Sequence, residues 1–386
     1  MLTAGLAGDL ANFRADPGKL EPAADFVAGV IRENYPDLRV LLHARWRHFV
    51  FGGQDLWAAI AARAAWRDAA SRARAEFDLA IVSVLLDAGA GPGWRYRDAK
   101  TGLIAGRSEG LALASLRMFE AGCFSDDARD PLRADGRRLA ALTAADLERD
   151  FAVNDANPMT GLEGRAALLA RLGRAMLDNE AIFARRDGAR PGGLFDYLAA
   201  GTTALPAPAI LHELLLHLGA IWPNRLMLGG LSLGDTWRHP AIRRTDASNG
   251  MMPLHKLSQW LAYSLIEPLQ TAGIAVTDVD GLTGLAEYRN GGLFVDSNVI
   301  ALREPEAAAR PHAVDSALVV EWRALTVALL DRLAPLVRER LGVSRDVFPL
   351  GALLEGGTWA AGRKLATQMR TDGGPPLKVI SDGTVF

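Results

Sequence analysis

Apolar residues recur at the three-and-four spacing of an α-helix along most of this 386-residue chain, and that pattern argues against a sheet-built fold. Helices are expected over 23–33, 38–49, 55–65, 68–87, 108–122, 162–177, 208–218, 254–270, 316–341, 343–354 and 358–369. The run from Leu79 to Leu86 is apolar but for Ser83, which suits a central core helix or a buried strand equally, and it stops at the breaker cluster Gly89-Ala-Gly-Pro-Gly93. Thr143 with Asp146, and Thr160 with Glu163, have the spacing of capping boxes. Residues 229–252 are rich in Gly, Asp, Arg and Asn and are expected to be a long loop. Residues 277–302 mix turns with strand-like runs such as Gly-Gly-Leu-Phe-Val-Asp, and 377–386 suggests a hairpin around Asp382-Gly383. The expected fold is mainly α: a single large helical domain over 1–386, with minor strands near 274–302 and at the C-terminus. The one subdivision on offer lies near 154–158.

Composition narrows the function classes. Hydrophobic residues make up 49% and charged residues 23%, enough to bury a core and too apolar for a disordered chain. Lys and Arg number 43 against 45 Asp and Glu, a net charge of −2, so no global footprint for nucleic acid is present. The single cysteine, Cys123, excludes a disulfide framework and any multi-cysteine metal site, and in its Glu-Ala-Gly-Cys-Phe context it suits a small buried hydrophobe. Folding without disulfides, an N-terminus lacking a basic n-region, and apolar runs too short to span a bilayer together give the expectation of a cytoplasmic protein.

Four constellations could carry chemistry. His212 and His217 lie five residues apart, which turns them about 140° from each other on a helix and argues against a shared metal ion. Asp87-Ala-Gly-Ala-Gly-Pro-Gly-Trp94-Arg-Tyr96 is either a helix stop or a stretch whose Asp87, Trp94 and Tyr96 line a ligand. In Arg107-Ser108-Glu109, Ser108 has the character of an N-cap and Glu109 suits a first helical turn, while Arg107 and Glu109 are candidate ligand residues. The richest region runs from His255-Lys256-Leu-Ser-Gln259-Trp260 to Glu287-Tyr288-Arg289-Asn-Gly-Gly-Leu-Phe-Val-Asp296. Lys256 and Gln259 share a helix face, and the second segment sets Glu287, Tyr288, Arg289 and Asp296 around a Gly-Gly turn. A carboxylate beside cations is what hydrolysis of an N-ribosyl bond requires. The same residues equally suit a surface turn with ordinary ion pairs.

Five blocks carry a resemblance: Leu-Leu-Asp-Ala-Gly-Ala-Gly at 85–91, Arg-Ser-Glu-Gly-Leu-Ala at 107–112, Asn-Pro-Met-Thr-Gly-Leu-Glu-Gly-Arg at 157–165, His-Lys-Leu-Ser-Gln-Trp-Leu at 255–261 and Leu-Thr-Gly-Leu-Ala-Glu-Tyr-Arg-Asn-Gly-Gly at 282–292. Through them the chain resembles the bacterial and fungal uracil-catabolism family that accompanies a cyclohydrolase-like uracil-ring-opening enzyme. Over some forty residues it is also similar to the queuosine-salvage nucleosidases, helical proteins with a DNA-glycosylase-like fold. Their Lys-Arg-Ala-Gln and Leu-Thr-x-Phe-Ala-Asp-Tyr-Arg motifs match Lys256-Leu-Ser-Gln259 and Leu282-Thr-Gly-Leu-Ala-Glu287-Tyr288-Arg289 in order and spacing. Here Glu287 replaces the aspartate and Gly291-Gly292 follows Asn290 where that family has Pro-Gln after the arginine.

The resemblances imply a hydrolase that cleaves the N-ribosyl bond of a ribosylurea, or of its 5′-phosphate, and releases urea without metal or cofactor. Glu287 would be the carboxylate at the reacting centre, with Asp296 second. Lys256 and Arg289 would hold phosphate or ribose, and Gln259, Tyr288, His255, Trp260, Asp87, Arg107 and Glu109 are the further candidates for substrate contact. The expected partner is this nucleoside-like or nucleotide-like small molecule, with contact to the ring-opening enzyme also implied and oligomeric state left open. Two alternatives stand: an amidohydrolase or deaminase acting on another ring-opened uridine nucleotide intermediate, and a non-catalytic partner of the ring-opening enzyme.

Overall fold

The computed structural model describes residues 1–91, 93–223 and 225–380. It is mainly α: 53% is helical, and the strands are pieces of two or three residues paired in small two-stranded ladders. The turn expected at Asp382-Gly383 lies outside the described residues.

Contacts divide these residues into two compact units, each assembled from separated segments. The first comprises residues 1–43, 225–259 and 279–380; the second comprises 44–223 and 260–278. Residues 154–158 lie inside the second unit.

The first unit is organised by the helix Ala317–Leu341. Ser316 caps its start through Val319 N, and Gly342 ends it in the left-handed region at φ 71°. Val319, Val320, Leu325, Leu330, Leu333 and Val337 bury its apolar stripe, and the helix packs on Leu20–Asn34 and on Tyr288–Asp296. Short ladders close this unit: Phe13–Ala15 with Ile300–Leu302, Thr236–Arg238 with Met251–Pro253, and Pro311–Ala313 with Lys378–Ile380.

The second unit is built on the helix Ala69–Leu85, which decides the helix-or-strand question at Leu79–Leu86. Asp68 and Ser71 form a capping box at its start. Every residue from Phe77 to Leu86 is buried, including Asp78, whose carboxylate accepts from Arg190, Ala134 N and Gly192 N. Arg165 holds the end of the helix by donating to Leu86 O and Ala88 O.

Several expected elements take other forms. Residues 38–49 are not an α-helix: Leu38 adopts φ 57°, and only a 3₁₀ turn, Arg45–Phe49, follows. Of 343–354 only Leu350–Leu353 is α-helical, and it runs into a π-helical turn, Leu354–Thr358. The capping box at Thr143–Asp146 forms, whereas Gly161 at φ 76°, not Thr160, precedes the helix Leu162–Asp178, so the second box is absent. Strands occur well outside 274–302 and the C-terminus. Within 277–302 the run read as strand-like is the helix Tyr288–Asp296.

Candidate active site

Lys256, Gln259 and Glu287 come together in the first unit through one buried network. Asp235 is its centre. Its carboxylate accepts from Lys256 N at 2.9 Å, from Trp237 Nε1 at 2.6 Å, and from both terminal nitrogens of Arg323 at 2.8 and 2.6 Å. Its carbonyl accepts from Leu254 N and His255 N. Asp235 thus satisfies amides at the start of the helix Lys256–Thr271 that have no partner within the helix. Arg323 carries the network onward by donating Nε to Ala286 O at 3.1 Å. Gln259 adds a second tie, since its Oε1 accepts from Thr283 N at 3.1 Å. The two sequence motifs, around 256–259 and 282–289, are therefore fixed against each other by Asp235, Arg323 and Gln259.

Burial pushes the Asp235 carboxyl upward, but the paired Arg323 and the donors around it outweigh that and hold it well below the usual carboxylate range. His255 occupies the left-handed region at φ 48°, and its carbonyl accepts the first helical bond, from Gln259 N. Its Nδ1 is buried without a hydrogen-bond partner, and burial lowers its pKa, which favours the neutral ring.

Glu287 is 8% exposed and caps the helix Tyr288–Asp296. One carboxylate oxygen accepts from Arg289 N and the other from Asn290 N, both at 2.6 Å. Burial raises its pKa above the ordinary glutamate value; the two amides, Lys256 and His43 pull in the opposite direction. The result is a carboxyl group held in place by backbone amides, with Lys256 and His43 near enough to act on it.

The Gly-Gly pair does not form a turn. Gly291 and Gly292 lie inside the helix at places where neighbours approach too closely for larger side chains. A Cβ at Gly291 would sit 2.7 Å from the Trp322 ring, whose Nε1 donates to Gly291 O, and one at Gly292 would meet Pro376 at 3.2 Å. A Cβ at Gly362, on the helix Trp359–Met369, would collide with Arg289 O. These contacts place the helix, and with it Glu287.

Helicity also separates residues that the sequence grouped. Asp296 ends the helix nine residues from Glu287, about 13 Å along the axis at ~1.5 Å per residue. There it pairs bidentately with Arg370 at 2.8 and 2.6 Å. Arg289 donates to Gly373 O at 2.9 Å and stacks 4.8 Å from the Tyr288 ring centroid, so it ties down the C-terminal segment. The structure therefore does not bring Asp296 to the Glu287 carboxyl, and it directs Arg289 and Tyr288 toward each other.

Asp87, Arg107, Glu109 and Trp260 belong to the second unit. Asp87 pairs with the fully buried Arg45 and accepts from Ser108. Ser108 therefore does not cap its helix: Arg107–Glu120 starts after Gly106 with no side-chain cap, and Arg107 takes φ 54°. Arg45 also bonds Ser83 at 2.7 Å, and its guanidinium lies 5.6 Å from the Trp260 ring and 5.9 Å from that of Phe49. Glu109 is close enough to act on the Arg45 charge. Trp94 is fully buried, donates to Phe151 O and is a core aromatic.

The remaining candidates resolve simply. His217 is paired with Glu213 at 3.0 Å and with Asn179, whereas the His212 side chain is 71% exposed. No group of three or more His, Cys, Asp or Glu suited to a metal ion occurs among the described residues. Cys123 is half-buried, and burial pushes its thiol up to about 11, away from the thiolate a nucleophile needs. No described helix is long and apolar enough to cross a membrane. Sequence reasoning missed Asp235, Arg323, His43 and Glu355. Asp235 lay in the loop-like 229–252 region with no local pattern. For Glu355, a Gly-Gly pair following it inside a helical pattern was the available signal.

A family model described as "Protein of unknown function (DUF1688)" matches residues 1–386. The chain is 39% identical to "Protein urg3" of Schizosaccharomyces pombe, over 98% of this chain and 92% of that protein. It is 36% identical to "Uracil catabolism protein 4" of Lachancea kluyveri, over 97% of this chain and 92% of that protein. The chain belongs to the DUF1688 family, in agreement with the uracil-catabolism resemblance of its sequence motifs.

Proposed function

We propose that this protein acts in uracil catabolism by hydrolysing the N-ribosyl bond of a ribosylurea, free or 5′-phosphorylated, to release urea. The relatives' names support the broader role. The observation that carries the reaction is the buried Glu287 carboxylate, fixed by Arg289 N and Asn290 N with Lys256 acting on it. As the bond from C1′ to urea nitrogen breaks, positive charge develops on the sugar. An anion already oriented by amides stabilises that charge without reorganising, which is the efficient form of electrostatic catalysis. Lys256 supplies a cation for a phosphate or a ribose hydroxyl.

The test is direct. Purified protein is incubated with ribosylurea and with its 5′-phosphate, and urea, ammonia and the sugar product, ribose or ribose 5-phosphate respectively, are measured. Urea and the matching sugar in equal amounts support the reading. Ammonia without either sugar supports an amidohydrolase or deaminase instead. The non-catalytic alternative has one observation of its own: Met227, Leu228 and Leu231 expose apolar side chains on a single hairpin. Absence of turnover on both substrates, with retention of the ring-opening enzyme on a column of this protein, would favour it.

A further inference from the structure

The first unit holds a histidine–carboxylate pair that the reaction as described does not use. His43 Nδ1 lies 2.6 Å from Glu355 Oε2, and both side chains are largely buried. The His43 amide donates to Gly351 O at 2.9 Å, so backbone and ring are anchored to the same short stretch of chain. The Trp359 ring flanks the imidazole, with centroids 6.1 Å apart and planes tilted by 36°.

The local backbone explains how Glu355 reaches His43. Leu354–Thr358 is a π-helical turn, which inserts an extra residue and rotates the following side chains; such turns are concentrated at functional sites. Gly356 and Gly357 let this turn press against the first unit's framework. A Cβ at Gly356 would lie 3.0 Å from Val40 and 3.2 Å from Tyr35, and one at Gly357 would lie 3.0 Å from Ile31 and from Val27. The turn leads directly into the helix Trp359–Met369, which packs on the helix that Glu287 caps. His43 is near enough for its charge to act on the Glu287 carboxyl.

We propose that His43 is the general acid that protonates the departing urea nitrogen, and that Glu355 is the positioning residue that fixes its ring. The assignment rests on the ribosylurea reading. With Nδ1–H held by the Glu355 carboxylate, the imidazolium has its movable proton on Nε2, and the neutral ring left after transfer keeps the proton on Nδ1. The bond from C1′ to nitrogen breaks with its electron pair going to nitrogen, and Nε2–H supplies the proton that makes neutral urea. Water forms the new bond to C1′ and releases its proton to solvent, from which the imidazole is recharged. Glu287 remains an anion throughout.

The experiment compares two leaving groups. Ribosylurea needs a proton on its leaving nitrogen; p-nitrophenyl β-D-ribofuranoside leaves as a stable phenolate and does not. His43→Ala should lower kcat on ribosylurea about 10²–10⁴-fold, the usual weight of general acid–base catalysis, with KM within threefold. Its loss on the nitrophenyl riboside should stay below tenfold. Glu355→Gln, which keeps the shape and hydrogen-bonding reach, should show the same split at about tenfold on ribosylurea, with the variant still folded by circular dichroism at the assay temperature. Equal losses on both substrates, or no loss on ribosylurea, overturn the proposal while leaving the function intact. If wild type does not cleave the nitrophenyl riboside, ribosylurea decides alone: a loss carried by KM overturns it. Wild type that releases no urea overturns the functional reading, and the His43 assignment with it.

Discussion

Replacing Asp235 by alanine removes the acceptor for four donors at once: two Arg323 nitrogens, Trp237 Nε1 and the Lys256 amide. Arg323 is 1% exposed, so its guanidinium would be left buried without its carboxylate. Breaking a buried pair in this way costs about 3–5 kcal/mol. The stranded indole and amide each add up to about 1–3 kcal/mol, less whatever water recovers, and these contributions share partners and do not sum. A loss of about 4 kcal/mol in local stability is expected. Hydrogen exchange followed by mass spectrometry reads it locally, in peptides covering 254–260 and 282–292. Asp235→Asn is no milder, because its amide turns donors toward donors. Asp235→Ala combined with Arg323→Met should recover more than half of the loss, since the uncompensated charge is gone. A loss under about 1 kcal/mol, or a double variant no better than the single, would refute the reasoning. The pH dependence has a definite sign. The folded Asp235 carboxyl titrates far below its unfolded value of about 3.9, so its stabilisation is complete above that value and is lost only in stronger acid. Protection contributed by this group should be flat between pH 7 and pH 5.

Three further outcomes are expected. Gly362→Ala should cost about 1–3 kcal/mol and reduce turnover, because its Cβ displaces the helix behind Glu287; Gly164→Ala, in a helix with nothing near its Cβ, should instead stabilise by about 0.4–1 kcal/mol, both read by denaturant unfolding. The acid limb of kcat should lie above about 4.3, the ordinary glutamate value, because activity is lost as falling pH protonates a Glu287 whose burial has raised its pKa; a limb at or below that value contradicts the assignment. Lys256→Ala should raise KM chiefly for the 5′-phosphorylated substrate and leave kcat nearly unchanged, as loss of uniform binding does.

Much of the helical framework was legible because it depends on local pattern. The 25-residue helix Ala317–Leu341 carries its stripe, its serine cap and its terminal glycine in the sequence itself. The motifs at 256–259 and 282–289 were also legible as belonging together, through their resemblance to a paired motif elsewhere. What could not be read is what tertiary contact decides. Gly291-Gly292 looks like a turn until Trp322 and Pro376 are seen to need the space. Ser108 has the character of a cap, but Asp87 captures its hydroxyl. Asp235 and His43 act on residues distant in sequence, and no period or spacing announces them.

The central claim is tested most directly by urea release from ribosylurea and its 5′-phosphate by wild type and Glu287→Gln. The substitution keeps shape and one amide-accepting oxygen but turns an NH2 toward the other amide, so the weakened cap should cost about 1–3 kcal/mol in stability, and folding of the variant is checked by circular dichroism. The lost charge should lower kcat roughly 10²–10³-fold. KM should change little, because the charge at the sugar develops only on the way to the transition state. Wild type that liberates urea, and a folded variant that nearly does not, is the predicted result. A folded Glu287→Gln protein that releases urea at the wild-type rate would contradict the account.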